Sequence, residues 1–272
     1  MKKRTLTSLL CCTLLISGPW SGTFAQHIYF NPVSTNRTHL GLRYLRPVGN
    51  GIELRGLSGT YELSLLQSFS RAGLIISMPY MRYSNKNEYF SDSEGSLGNL
   101  FVGLQIPSRD KKINFTFGMA LPTASTEKWS AQWVGWSSDF MNLYKYSPET
   151  LTLYFNLRYN SDLAKPLFFS VETGPNLLFN TGDSASESEV YVHYGLQGGY
   201  NMSKARFLVE LYGFMITTES ELDFGERTYH QISLGAEIPL GKVEPGIFYN
   251  FYLDEGLSEI NVLGLKLDFN LN

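Results

Sequence analysis

The chain has 272 residues, with 22 Lys+Arg against 25 Asp+Glu and a formal net charge of −3. So weak and so acidic a balance excludes the concentrated basic patches that nucleic-acid binding needs. The length suits one large β domain. Aromatic residues reach 14%, with 17 Tyr and 18 Phe, and both cysteines, Cys11 and Cys12, lie near the start.

Lys2, Lys3 and Arg4 precede an apolar run from Leu6 to Ile16, followed by Gly18, Pro19 and Thr23-Phe24-Ala25. A basic head, a short apolar core and small residues at −3 and −1 predict a secretory signal peptide, residues 1–25, cleaved before Gln26. Its removal takes both cysteines, so no disulfide framework is expected. It also leaves 19 Lys+Arg against 25 Asp+Glu, a formal charge of −6. Residues 26–37 read as a periplasmic lead-in. No later run of eighteen apolar residues exists, so no helix is expected to cross a membrane.

From Thr38 onward the chain reads as short segments of period two, the pattern of strands with one apolar face. The plainest is Leu97–Ser125. There Leu100, Val102, Leu104 and Ile106 alternate with Asn99, Phe101, Gly103 and Gln105. After the polar turn Ser108–Lys112, Ile113, Phe115, Phe117, Met119 and Leu121 alternate with Asn114, Thr116, Gly118 and Ala120. About ten residues is what a tilted strand needs to cross a bilayer. Weaker strands precede it near 38–46, 59–69 and 72–83. Beyond it come 151–160, 167–179, 190–200, 206–215, 231–240, 244–252 and 260–271.

Connections alternate long and short: 47–58 long, 70–71 short, 84–96 long, 108–112 short, 122–150 long, 161–165 short, 180–188 long, 202–204 short, 217–227 long, 240–242 short, 254–259 long. That parity belongs to a transmembrane antiparallel up-and-down β-barrel of about 12 strands, with long surface loops and short periplasmic turns. Residues 38–272 are therefore expected to form one outer-membrane barrel domain in a Gram-negative bacterium. Phe140–Tyr146 also alternates loosely. It reads as an extension of the next strand or as loop folded onto the mouth, with 10 or 14 strands as the alternative counts.

The face opposite the apolar one supplies the candidate lumen: Tyr154, Asn156, Arg158, Glu172, His193, Gln197, Glu210, Tyr212, Gln231, Glu237, Asn250, Lys266 and Asp268. Such a lining either passes small solutes or fills the barrel with interlocked polar groups. Trp129, Trp133 and Trp136 in the 122–150 connection, the longest irregular piece, are candidates for a lid over the mouth, interface anchoring being the plainer reading. No HExxH, GxSxG or glycine-rich phosphate loop occurs, and no His/Asp cluster has metal-ligand spacing. No catalytic, cofactor or metal site is expected. Glu187, Glu189, Glu219 and Asp223 belong to acidic loops read as solvated. The expected partners are outer-membrane lipids and lipopolysaccharide, the barrel-assembly machinery during insertion, and a small solute.

Met78-Pro79-Tyr80, Leu97-Gly98-Asn99 and Leu121-Pro122-Thr123 resemble motifs of the outer-membrane β-barrel family of the phenol meta-cleavage pathway (MetA pathway of phenol degradation). That family shows Leu-Pro-Tyr, a Gly-Leu-Gly-Asp strand and a strand ending Leu-Pro-Thr-Gly. Here Ser96, Asn99 and Ala124 replace the first Gly, the Asp and the last Gly. The motif likeness covers 59–125. It implies a barrel acting as a passive channel or transporter for small hydrophobic or aromatic molecules, and it brings no catalytic residues. A non-conducting structural or surface-binding barrel is the alternative, and an outer-membrane hydrolase the third.

Overall fold

The computed structural model of the protein describes residues 38–49, 52, 54–86, 91–182, 188–219, 221 and 223–271. The expected signal peptide and lead-in lie outside the described residues, as do Asp183 and Glu187. Thirteen strands are described: β1 (His39–Gly49), β2 (Gly59–Ser68), β3 (Gly73–Lys86), β4 (Ser91–Leu97), β5 (Leu100–Pro107), β6 (Ile113–Leu121), β7 (Thr150–Asn160), β8 (Leu167–Asn180), β9 (Glu189–Asn201), β10 (Arg206–Ile216), β11 (Thr228–Glu237), β12 (Val243–Tyr252) and β13 (Ile260–Asn270). Helix α1 (Trp129–Ser138) and a 3-10 helix (Phe140–Lys145) lie between β6 and β7.

Apart from β4 and β5, which both pair with β3, each strand pairs antiparallel with its sequence neighbours, and β1 closes onto β13 from His39↔Asn270 to Gly49↔Ile260. The thirteen strands fill twelve positions, because β4 and β5 share one. Both lie along β3, Ser91–Leu97 against its upper half and Phe101–Gln105 against its lower half. The result is a closed antiparallel 12-stranded barrel. Closure pairs the wall on both sides at the level of the apolar belt, as a bilayer requires, while β4 pairs with β3 on one side.

Five short turns and both described ends of the chain gather at one rim, where Leu271 N donates to Thr38 O at 2.9 Å. The long connections gather at the other rim. In the 97–125 hairpin the register is Leu104↔Phe117 and Gln105↔Thr116. Leu104, Ile106, Phe115 and Phe117 are exposed on the outside, while Gln105, Asn114 and Thr116 are buried inside. The same division holds for Leu196, Val209, Leu234 and Leu265 outside against Gln197, Glu210, Ser233 and Lys266 inside. Period two puts apolar side chains outward and polar ones inward, the reverse of a soluble domain.

Three expectations are corrected. The connection expected at 84–96 is largely strand, since β3 runs to Lys86 and β4 starts at Ser91. That hairpin extends beyond the apolar belt with a polar sequence, Ser91-Asp92-Ser93-Glu94-Gly95-Ser96, so no alternation marks it. Phe140–Tyr146 neither prolongs β7 nor lies across the mouth; its first six residues form the 3-10 helix inside the barrel. The long 122–150 connection is not irregular throughout, because its middle is helical.

Candidate lumen and plug

The connection between β6 and β7 turns into the barrel. Helix α1 packs against β1, β2, β3, β4 and β13, and the 3-10 helix against β7, β10 and β11. These lie on opposite sides of the wall, so the segment crosses the lumen as a plug. Gly135 permits the close approach: a Cβ there would lie 2.6 Å from both Met81 Sδ and the Tyr146 ring. Helix α1 has no capping side chain of its own. A carboxylate of the wall does that work instead, Glu94 Oε2 accepting from Ala131 N at 3.0 Å, where it also meets the positive end of the helix dipole.

The plug is clasped where β4 breaks from β5. Asn99 Nδ2 donates to Tyr144 O and Ser147 O, both at 2.7 Å, and Asn99 Oδ1 accepts from Ala124 N at 3.0 Å. Asn99 N donates to Lys145 O at 2.7 Å. Thr123 Oγ1 donates to Gly98 O at 2.6 Å and accepts from Leu100 N at 2.9 Å. The strand must break here so that its backbone can bond the plug rather than a neighbouring strand. Leu97-Gly98-Asn99 and Leu121-Pro122-Thr123 thus meet as the two halves of one clasp.

A charge cluster joins the plug to the wall. Glu62 on β2 pairs with Arg43 of β1, accepts from Ser77 of β3 and receives Lys145 Nζ from the plug at 3.1 Å. Lys145 Nζ also lies 3.8 Å from Asp139 Oδ2. Asp139 is wholly buried, and Asn142 Nδ2 and the Tyr146 hydroxyl donate to it at 2.8 and 3.1 Å. Burial raises the Asp139 carboxyl above the ordinary aspartate range, with Lys145 and Arg43 acting the other way. Buried charges of this kind are tolerable only when paired, as these are.

Aromatic rings seat the rest. Phe140 lies 5.1 to 6.2 Å from the rings of Tyr229, Phe214 and Tyr252, and its N–H donates to the Tyr252 hydroxyl at 3.1 Å. Tyr144 packs on Phe101 and Tyr154. Beyond them His193 stacks between Tyr154 and Tyr212, with centroids 5.1 and 6.1 Å away.

Toward the short-turn rim the interior is filled by paired polar groups. Asn156 donates to Glu172 at 3.1 Å, Arg158 Nε to Asn160 at 2.7 Å, and Gln197 to Glu210. Arg206 pairs with Glu237 at 2.8 Å and lies 3.8 Å from Glu244, while Lys266 pairs with Glu237 and lies 3.5 Å from Asp268.

No family model matches the chain, and no curated protein matches it in sequence. Solved structures do match in shape. An outer membrane channel from Pseudomonas putida F1 aligns over 90% of this chain and 99% of its own, with a TM-score of 0.61 at 12% identity. The translocator domain of the autotransporter NalP from Neisseria meningitidis gives 0.52 at 11%, over 87% of this chain and 88% of that one. LpxR from Salmonella typhimurium gives 0.51 at 8%, over 86% and 100%. The chain has the outer-membrane β-barrel fold. In barrels of this fold the long loops face the cell surface and the short turns the periplasm.

All thirteen residues singled out for the lumen are buried inside the barrel, none more than 7% exposed. Tyr154, His193 and Tyr212 form one stack, and Glu237 and Lys266 one charged cluster. Gln231 donates to Ser233 at 2.9 Å, and Asn250 sits opposite Ser233 on the next strand. The tryptophans do not act as one group. Trp129 is 63% exposed and packs edge-on against Trp136, while Trp133 is half-buried. The plug residues Asp139, Phe140, Tyr144 and Lys145 were missed by the sequence reading, and so was Leu163, buried against Phe168 and Leu208 at the short-turn rim. Phe-x-x-x-Tyr-Lys in an otherwise loop-like stretch was the available signal for Phe140, Tyr144 and Lys145.

Proposed function

We propose that the protein is a passive outer-membrane channel for small molecules, held shut by its own 122–149 segment. The observation that carries this reading is the plug: the surface half of a polar-lined interior is filled by one loop-borne segment, while the half below it is filled by the wall's own paired side chains. That segment is joined to the wall by hydrogen bonds and ion pairs rather than by a covalent link. The solutes are small hydrophobic or aromatic molecules, as the likeness to the phenol meta-cleavage family implies. The chain is read as a divergent relative of that family, a reading supported by two of its three quoted motifs being the two halves of the clasp. The expected signal peptide would deliver it to the assembly machinery, and N-terminal sequencing of the mature protein tests cleavage before Gln26.

Planar-bilayer recording tests the channel. Replacing 125–146 by a short Gly/Ser linker is expected to turn a rarely conducting barrel into a steadily conducting one. A second reading has its own observation: the lumen residues below the plug are also packed, which suits a non-conducting barrel. In that case the linker variant, still folded by heat-shifted migration in detergent, passes no current, and the channel reading is refuted.

A further inference from the structure

Charge is spread unevenly around the cell-surface rim. Over β1–β3 the described residues include Arg46, Arg55 and Arg82, whereas the connections from β10 to β13 carry Glu219, Glu221, Asp223, Glu226, Asp254, Glu255 and Glu259 against Arg227. Arg46 donates to Leu54 O and Gly56 O at 2.8 and 2.7 Å. Neither Arg46 nor Arg82 has an ion-pair partner among the described residues. Of the nearby acids, Glu94 is engaged by α1, and Asp92 lies three ladder positions beyond Arg82.

Beneath the arginines, one outward row holds Tyr44, Tyr61 and Tyr80 in direct register on β1, β2 and β3. Their ring centroids are 4.9 and 6.3 Å apart. Tyr44 and Tyr61 donate to Ser58 O and Leu57 O at 2.8 and 2.5 Å, so their polar edges point to the rim. Below the row is an apolar groove of about 490 Å³, lined by Leu42, Leu63, Met78, Leu97, Leu265 and Leu267. Arg82 stands two residues above Tyr80 on the same face, roughly 7 Å along the strand. Cation, tyrosine row and groove therefore follow one another down the bilayer normal. This is the order of an anionic headgroup, an interface and an acyl chain.

We propose that this face binds a phosphorylated, multiply acylated glycolipid of the outer leaflet, the lipid A part of lipopolysaccharide. A phosphate meets the planar fork of Arg82, which matches its geometry, with Arg46 adding charge beside it. One acyl chain lies in the groove below the tyrosines. The acidic rim over β10–β13 repels the same phosphates, so occupancy is confined to the β1–β3 side.

Native mass spectrometry of the full chain in detergent, titrated with lipid A or with its bis-dephosphorylated form, tests the site. Phosphorylated lipid A should be retained about tenfold better, with most of that preference lost in Arg82→Gln and kept in Glu255→Gln. Leu63→Trp, which fills the groove, should weaken both forms. Equal retention of the two lipids, or an unchanged preference in Arg82→Gln, overturns the proposal and leaves only an unspecific lipid coat. Conductance plays no part in this readout, so its failure is separate from failure of the channel reading.

Discussion

Asn99→Ala tests the clasp directly. The substitution removes three side-chain hydrogen bonds to plug backbone, those to Tyr144 O, Ser147 O and Ala124 N, and leaves the backbone bond from Asn99 N to Lys145 O intact. At about 1 kcal/mol net for each bond, the docked plug loses roughly 3 kcal/mol relative to the withdrawn one. Undocking lets water reach the freed groups, so the larger cost of orphaned buried groups does not apply to the withdrawn state. Since 1.4 kcal/mol is tenfold, the withdrawn population should rise by about two orders of magnitude. Amide hydrogen exchange reads this directly: protection of α1 and the 3-10 helix should fall about a hundredfold while the β9–β12 wall keeps its protection. Single-channel recording should show conducting events more often at unchanged amplitude. If plug protection in Asn99→Ala equals that of the unaltered protein, the clasp does not hold the plug and the argument fails.

Other consequences follow from the same contacts. Glu62→Ala removes the buried carboxylate that Arg43 and Lys145 share and should cost about 3 kcal/mol, read as a lower unfolding temperature in detergent. Tyr144→Ala empties the seat on Phe101 and Tyr154 and should destabilise the docked plug by about 3–5 kcal/mol, read as faster exchange there. The raised carboxyl of Asp139 gives a pH dependence whose sign is fixed. Its ordinary value of 3.8 is restored when the plug withdraws, so the docked state binds the proton more tightly. This contribution to docking is fully present below 3.8 and is lost as pH rises through the raised docked value. Conducting events should therefore become more frequent with rising pH across that window, and Asp139→Asn should abolish the change.

How much could be read in advance depended on where each side chain ends up. The 97–125 hairpin was legible because lipid outside and polar lumen inside impose opposite demands on successive residues. The β3–β4 extension rises beyond the lipid, loses one of those demands, and was taken for loop. The barrel interior was legible as a face, residue by residue, but not as partners: nothing in the spacing of Arg206, Glu237, Glu244 and Lys266 says that they meet from four strands. Helix α1 was illegible for a related reason. It is surrounded by wall on several sides, so it needs no apolar stripe, and its N-terminal cap comes from Glu94 on another element.

The same reasoning bears on the short motifs. Leu97-Gly98-Asn99 and Leu121-Pro122-Thr123 stand where the alternating hairpin begins and ends, and a barrel wall alone gives no reason for these residues there. A wall that must hold an internal segment does. Gly98 keeps its N–H on Pro79 O of β3, while its carbonyl accepts from Thr123 Oγ1 and the next N–H, of Asn99, turns to Lys145 O; a Cβ on Gly98 would lie 2.4 Å from Lys145 O. Pro122 has no N–H with which to extend β6 pairing, and Thr123 bonds back to Gly98. The positions that break the strand rule are those that position the plug. Deleting the plug while keeping these motifs should therefore leave Asn99 facing an empty lumen, where Asn99→Ala no longer changes conductance. A residual effect of Asn99→Ala in the plug-deleted barrel would show that Asn99 serves the wall itself.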